Sequence, residues 1–480
     1  MTRKYLEAAD LSPCDGYAIS ILDSNNGAQI LDALSVMPSD AFFLIVPECA
    51  RIREDIFDVL NVARECRPDV DIFYADEAVH SPRENTTTHF CKPELNLSLL
   101  IAYDYVGFPL IIRCGILRRL LNGCGKITHT SLYKIPLQCA NLGIVFKRIA
   151  EVLVINERAR PHASLPDRIA ILDEEFRKSA SSFYFCKGMT DDSVRMNRVF
   201  QTYPPVTLVI PTNRSANKAS GDSRPLILDL LESLVGVTWP MDKLTVLIGD
   251  DKGAGEIYDG REWPFKLKVV DTHRGNAPFN YAKKMNSLWA LCETENIIFM
   301  NDDIVVDDRD FIEALLTFSI ESGVGGAGAR LKFPSGKLQH AGMVGGIFEV
   351  FAHPWYAQSA DCLTYGDWAA VHRDCSAVTG AVFATRRSVL EEINGFDEFF
   401  ALDFNDTDMC LRMKALGYRI IYTPFATLTH NESASRAGHV TPGEQIMRFL
   451  TKWRDAIKND PMYNSNLSRN QDNVVCHLDS

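Results

Sequence analysis

The chain has 480 residues, of which 46% are hydrophobic, 10% aromatic and 23% charged. This is globular composition, which excludes disorder, a collagen-like repeat and a disulfide-stapled miniprotein. Fifty basic against 62 acidic residues give a formal charge of −12, which argues against nucleic-acid binding and leaves room for local basic pockets that take a small anion. Thirteen scattered cysteines, with no CxxC pair or zinc spacing, read as reduced thiols. The start, MTRKYLEAADLSPCDG, has no apolar secretory core, and runs such as LIVP and IIFM are strand-sized. The expectation is a soluble, cytoplasmic α/β protein.

In chain order, the first two hundred residues carry three strand-and-helix segments: AFFLIVPECARIREDIFDVL, GFPLIIRCGILRRL and SLYKIPLQCANLGIVFKRIAEVLVINE. Tyr203-Pro204-Pro205 then restarts the chain. A strand over 206–210 is followed by a Ser/Asn/Gly-rich loop and a helix with Leu226, Leu230, Leu231 and Leu234 on one face. The strand LTVLIGDD ends in Asp250 and Asp251. KLKVVD and a helix marked by Ala282, Met285, Trp289 and Cys292 come next, then NIIFMNDDIVV, an apolar strand running into acids. Asn405-Asp406-Thr407-Asp408 opens a helix that Gly417 closes, and His430 follows the strand RIIYT. Beyond about Gly443 the chain turns polar and Asn-rich, so its end is expected to be loosely held.

The three early segments match NIIFMNDDIVVDDRDFIEAL, GAVFATRRSVLEEI and NDTDMCLRMKALGYRIIYTPFATLTHNE in the same order. Ordered matches argue for an internal duplication, with chance similarity between α/β units as the competing reading. Where the second copy has acids, the first has Val46-Pro47-Glu48 and Ser131-Leu132-Tyr133.

Four groups could carry chemistry. Asn301-Asp302-Asp303 stands at the end of a buried strand, where open α/β sheets bind ligands. Carboxylates there suit a hard divalent cation bridging a diphosphate, or a solvated acidic turn. Asn405 or Asp406 would cap its helix, and a capped start also holds a carboxylate rigidly. His430 is either structural or a neutral imidazole ligand to a metal. Asp250 could accept a hydrogen bond from a nucleotide base, or form a turn. No GxGxxG or GxxxxGK[ST] stands at a strand–helix junction and no GxSxG occurs, which counts against a dinucleotide site, a P-loop and a serine hydrolase.

As an ordered set over about 204–438, VTLVIPTNR, VLIGDD, NAPFNYAKKMN, FMNDDIVV, GARLKFPSGKLQHAG, AVTGAVFATRRSVLEEINGFDE, FNDTDMCLRMKALGYRIIYTP and THNESASR resemble family 2 glycosyltransferases. The closest flavour is the rhamnosyltransferase-like branch that builds bacterial surface polysaccharides. The resemblance implies a GT-A fold, a Rossmann-like and mostly parallel sheet flanked by helices, with a degenerate α/β domain ahead of it. It also implies roles. Thr212 and Arg274 would lie by the nucleotide, Asp250 by its base and Asp302 near the ribose or sugar. Asp303 and His430 would hold Mn²⁺ or Mg²⁺, Asp406 would be the catalytic base, and the Gly380 loop would face the acceptor. The first acid of the family's DxD is Asn301 here, and its Glu-Asp pair is Asn405-Asp406, two departures from the pattern.

The expectation is therefore an inverting, metal-dependent glycosyltransferase. It would move sugar from a nucleoside-diphosphate donor to a saccharide or lipid-linked saccharide acceptor, with no nucleic-acid partner, at the inner face of the membrane. Residues 1–200 would be a noncatalytic GT-A-like domain, 204–440 the catalytic domain, and 441–480 a C-terminal helix and polar tail. The rival readings are a nucleotidyltransferase of sugar phosphates and a noncatalytic glycan-binding or scaffold protein.

Overall fold

Val206–Thr212 is buried at every position, so a strand this apolar on both faces needs a layer on each side. In the computed structural model it pairs in parallel with Leu244–Asp250 on one side and Asn296–Met300 on the other. The described residues are 4–7, 16–22, 27–48, 50–122, 124, 126–157, 162–178, 182–216, 224–253, 255–361, 364–431 and 440–479. Part of the polar loop after the first strand (217–223), and most of THNESASR, lie outside them.

The sheet runs Lys266–Asp271, Leu244–Asp250, Val206–Thr212, Asn296–Met300, Val382–Arg386, Val324–Lys332, Arg419–His430, Ile304–Val306. Its first four strands are parallel. Beyond them the pairing is mixed, because Val382–Arg386 enters antiparallel between two of its neighbours. Helix Tyr281–Trp289 packs on the parallel strands and Phe311–Ser319 on Val324–Lys332. The leucines at 226, 230, 231 and 234 are all buried in helix Leu226–Leu234, as their spacing predicts.

A second sheet repeats six of these strands. Its order Ala50–Arg53, Phe146–Asn156, Ile72–Ser81, Leu110–Arg113, Phe42–Pro47, Tyr17–Leu22 mirrors Ile304–Val306, Arg419–His430, Val324–Lys332, Val382–Arg386, Asn296–Met300, Val206–Thr212. Every neighbouring pair has the same sense in both: antiparallel, parallel, antiparallel, antiparallel, parallel. The matching helices His129–Leu142 and Asn405–Ala415 are each followed by a left-handed glycine, Gly143 (φ 65°) and Gly417 (φ 90°), the usual stop signal. Among the described residues, the first sheet has no counterpart of Leu244–Asp250 or Lys266–Asp271.

One continuous hydrophobic cluster runs through both sheets. Polar contacts join them as well: the Asn96 side-chain amide donates to the Asp374 carbonyl and accepts from the Asp374 N–H, and Ser98 donates to the Asp374 carboxylate at 2.6 Å. The Asn-rich tail corrects the expectation from composition. Tyr463, Asn464, Leu467 and Ser468 are buried, because the Asn464 amide donates to both Asp76 oxygens at 2.9 Å and to the Lys92 carbonyl at 2.8 Å. Those asparagines satisfy a buried carboxylate rather than water. Among the described residues, no helix is long and apolar enough to cross a membrane.

Candidate active site

At the carboxyl ends of Val206–Thr212 and Asn296–Met300 opens a cavity of about 560 Å³. Thr212, Arg274, Asp302, Asp303, Gly380, Asp406 and His430 all line it. Strand register explains how distant segments meet here. Ile304 pairs antiparallel with His430, and Asn431 N–H donates to the Asp303 carbonyl at 2.8 Å. The side chains that precede and end those strands are thereby brought together.

His430 Nε2 lies 3.0 Å from Asp303 Oδ1, and its Nδ1 lies 2.6 Å from Gln339 Oε1. Contact with the amide oxygen places a proton on Nδ1, so Nε2 turns toward the carboxylate. The Asp303 carboxylate and the His430 imidazole nitrogen face one another, a donor set that could hold a hard divalent cation. Among the described residues, no group of three or more His, Cys, Asp or Glu side chains converges on a metal position. Two protein ligands are what a hard cation needs when substrate phosphates and water complete its shell. Asp302 accepts from the Thr212 hydroxyl at 2.5 Å. Burial, and then the Asp303 carboxylate, push its pKa up to about 7.

Asp406 projects from the first turn of helix Asn405–Ala415. Its Oδ2 accepts from Gly380 N–H at 2.9 Å and its Oδ1 from Thr407 N–H at 2.7 Å. A methyl group at Gly380 would stand 3.3 Å from Asp406 Cβ, so the close approach of that loop depends on glycine. Of the two expected caps, Asn405 or Asp406, Asn405 accepts no first-turn N–H, while Asp406 takes that of Thr407 from inside the helix. Phe404, at φ 62°, occupies the cap position and the Asn405 amide donates to the Leu402 carbonyl. Asp408 points away, as residues two apart on a helix do. It is fully buried and binds Arg412, Lys452 and Trp453, which docks helix Gly443–Lys458.

Asp250 lies outside the cavity lining. It is fully buried and accepts from Arg214 Nε at 2.8 Å, the Tyr258 hydroxyl at 2.6 Å and Lys252 N–H at 2.8 Å. Its carboxylate fixes the loop rather than standing open to a base, and the next residue, Asp251, lines the cavity instead. Lys284 went unnoticed as a site residue. Its Nζ donates to Asp251 at 2.7 Å and to the Thr212 carbonyl at 3.0 Å. Burial lowers its pKa, and Asp251 opposes that shift. Exposed Arg274 lies over the Phe279 ring at 5.2 Å. It and Lys284 are the Lys and Arg side chains among the described residues lining the cavity, beside the carboxylates of Asp251, Asp302 and Asp303.

Residues 204–443, half of the chain, match the family described as "Glycosyltransferase like family 2". The chain is 28% identical over 436 residues to the uncharacterized protein y4gI of Sinorhizobium fredii (strain NBRC 101917 / NGR234), covering 86% of this chain and 46% of that one. It is 25% identical over 422 residues to the O-antigen biosynthesis protein RfbC of Myxococcus xanthus, covering 84% and 32%. It thus spans less than half the length of either relative. Among solved structures, the mannosyltransferase PcManGT from Pyrobaculum calidifontis, in complex with GDP-Man and Mn²⁺, aligns with 49% of this chain and 59% of its own at 18% identity and a TM-score of 0.34. The parallel strands of the second half, with a ligand cavity at their carboxyl ends, are those of the GT-A fold. The chain belongs to the family 2 glycosyltransferases.

Proposed function

We propose that the chain is an inverting, divalent-metal-dependent glycosyltransferase, carrying sugar from a nucleoside diphosphate to a hydroxyl of a bacterial surface polysaccharide or glycoconjugate. The observation that carries this reading is the meeting, in one cavity, of the Asp303–His430 pair and an Asp406 held from both oxygens. Kinship to an O-antigen biosynthesis protein supports the polysaccharide setting. Asp303 and His430 would hold Mn²⁺ or Mg²⁺, whose charge offsets that of the leaving diphosphate. Lys284 and Arg274 stand on the side where the remaining phosphate charge would lie. Asp406 takes the proton of the acceptor hydroxyl as that oxygen attacks C1 from the face opposite the diphosphate. One displacement inverts the anomeric centre. The second carboxylate on that side, Asp403, is engaged by the Thr441 hydroxyl at 2.7 Å.

Asp303→Ala and His430→Ala are each expected to weaken Mn²⁺-dependent binding of nucleoside diphosphates, Asp303→Ala the more, because it removes an anionic ligand. Calorimetry with UDP, dTDP and GDP checks this. Affinity that ignores both substitutions and added EDTA would remove the metal from the mechanism.

The first half is proposed to be noncatalytic. Its counterpart of the cavity, lined by Gly107, Phe108, His129, Leu132, Tyr133 and His162, holds about 10 Å³, room for one water at most. Leu132, buried, stands where the second half has Asp406. Nucleoside diphosphate should therefore titrate to one equivalent per chain, and a second saturable equivalent would sink this assignment.

A further inference from the structure

Gln339 and His340 are neighbours on the three-residue strand Leu338–His340, and both are buried in the wall of the cavity. Each side chain reaches a different part of the proposed machinery. Gln339 Oε1 lies 2.6 Å from His430 Nδ1. A carboxamide oxygen only accepts, so the proton of the neutral His430 ring is held on Nδ1. The Nε2 lone pair then faces the Asp303 carboxylate, where a cation would sit. Without that oxygen the two tautomers compete, and the Nε2–H form presents a donor where a ligand is needed.

His340 acts on the other side of the site. It is 1% exposed, and its Nε2 accepts from Gly342 N–H at 3.2 Å and from Thr379 N–H at 3.4 Å. A nitrogen that receives N–H groups carries no proton of its own, so the His340 proton is on Nδ1. Burial holds the ring's pKa well below the usual histidine value, which keeps it neutral. Thr379 is followed by Gly380, whose N–H donates to Asp406 Oδ2 at 2.9 Å. One imidazole nitrogen thus fixes the backbone that holds the proposed base.

The strand itself is secured on both sides. His340 and Leu338 pair antiparallel with Leu331 and Lys332 of Val324–Lys332. Leu338 N–H donates to the Gln358 carbonyl at 2.7 Å, and the Leu338 carbonyl accepts from Ala357 N–H at 2.8 Å. Just beyond, Met343 N–H donates to the Ala377 carbonyl at 2.8 Å, which ties the turn to the segment leading to Thr379. Side chains on a paired strand keep their direction better than those on a loop.

We propose that Leu338–His340 is the positioning element of the site: Gln339 selects the His430 tautomer that can bind a divalent cation, and His340 anchors the Thr379–Gly380 backbone that holds Asp406. The inference rests on the glycosyltransferase reading. Both residues act through others, Gln339 on donor binding and His340 on the base, so their effects come apart.

The test uses variants of the full chain. Gln339→Met fills similar space without an acceptor. It should weaken Mn²⁺-dependent binding of the tightest of UDP, dTDP and GDP by roughly 10–100-fold, the usual effect of losing the hydrogen bond behind a ligating histidine. Gln339→Glu keeps an acceptor oxygen and should restore that affinity. His340→Asn places its polar atoms near the ring's Nδ1 and falls short of the two N–H groups, whereas His340→Gln reaches the Nε2 position. By hydrogen-exchange mass spectrometry, His340→Asn should speed exchange of the 379–380 amides roughly ten-fold, as loss of one hydrogen bond does. His340→Gln should restore slow exchange, and neither should move nucleotide affinity. Histidine ¹⁵N NMR of the unsubstituted chain with Mg²⁺ and that nucleotide needs no variant to fold. It should show His430 protonated on Nδ1 and His340 unprotonated on Nε2. The proposal is overturned if either ring carries its proton on Nε2, if Gln339→Met keeps full affinity or Gln339→Glu loses it equally, or if His340→Asn leaves exchange unchanged or weakens the nucleotide instead. Failure of the unsubstituted chain to bind any of the three nucleotides would instead overturn the underlying function.

Discussion

Asp406→Asn lowers turnover by roughly 10²–10⁴-fold, the span that a positioned general base supplies. It leaves Mn²⁺-dependent nucleoside diphosphate affinity where it was. The two halves of this expectation have separate causes. An amide has the carboxylate's shape but no basic oxygen, so the acceptor hydroxyl keeps its proton at the moment of attack. In the proposed function donor binding would fall to Thr212, Asp303, His430 and Lys284, and none of these is held by Asp406. The substitution does cost one hydrogen bond, because Gly380 N–H and Thr407 N–H address different oxygens and only one survives in the amide. At a half-buried site that loss is worth about 1 kcal/mol, too little to unfold the chain. Steady-state rates beside calorimetry separate the outcomes. Wild-type turnover in Asp406→Asn would end its assignment as the base, and a parallel loss of donor affinity would make it a structural residue.

What the sequence made legible follows from what repeats along it. Apolar strands of five to seven residues and leucines at helical spacing reveal themselves by period, as Val206–Thr212 and Leu226–Leu234 did. The three ordered segments likewise foretold a repeated fold, because a pattern of strand, turn and helix survives when its catalytic acids do not. Register is another matter. That Asp303 meets His430 depends on Ile304 pairing with His430, and a slip of one residue would turn that side chain to the other face. Asp250 and Asp251 show the same limit at shorter range. Neighbours on a strand point to opposite faces, so the sequence could not say which of the two acids enters the cavity. Gln339 carries no signal at all until folded, because a glutamine on a three-residue strand acquires meaning only from its contact with His430.

The repeated sheet also bears on the proposal that the first half is noncatalytic. Among the described residues it has no counterpart of the two outer strands that in the second half end at Asp250 and Asp271, and its small cavity is lined by Leu132, Tyr133 and Phe108. What remains is an apolar surface continuous with the core of its partner. The C-terminal tail joins the two. Its Asn464 and Asn466 bind Asp76 of the first sheet, while its Arg469 and Asp472 carbonyls hold Phe348 and Trp355 beside the cavity.

Lys92→Met should be among the most damaging substitutions far from the cavity, costing about 3–5 kcal/mol, as removal of one partner from a buried ion pair does. Lys92 Nζ stands 3.1 Å from Glu77 Oε1, and both side chains are fully buried. The ammonium also donates to the Val106 and Phe108 carbonyls at 2.6 and 2.7 Å. Methionine fills the same volume, so the loss is electrostatic rather than a cavity. Glu77 would keep the Asn156 amide at 2.8 Å but lose the Lys92 charge that faces it in the interior. The test of that cause is the double variant Glu77→Leu with Lys92→Met. Replacing a whole buried pair by apolar residues is often neutral or stabilising, so the double variant should recover most of the loss. Urea denaturation followed by tryptophan fluorescence reads both. If the double variant unfolds as easily as Lys92→Met, the damage comes from the lost contacts to Val106 and Phe108, and the ion pair is not what holds this part of the first sheet together.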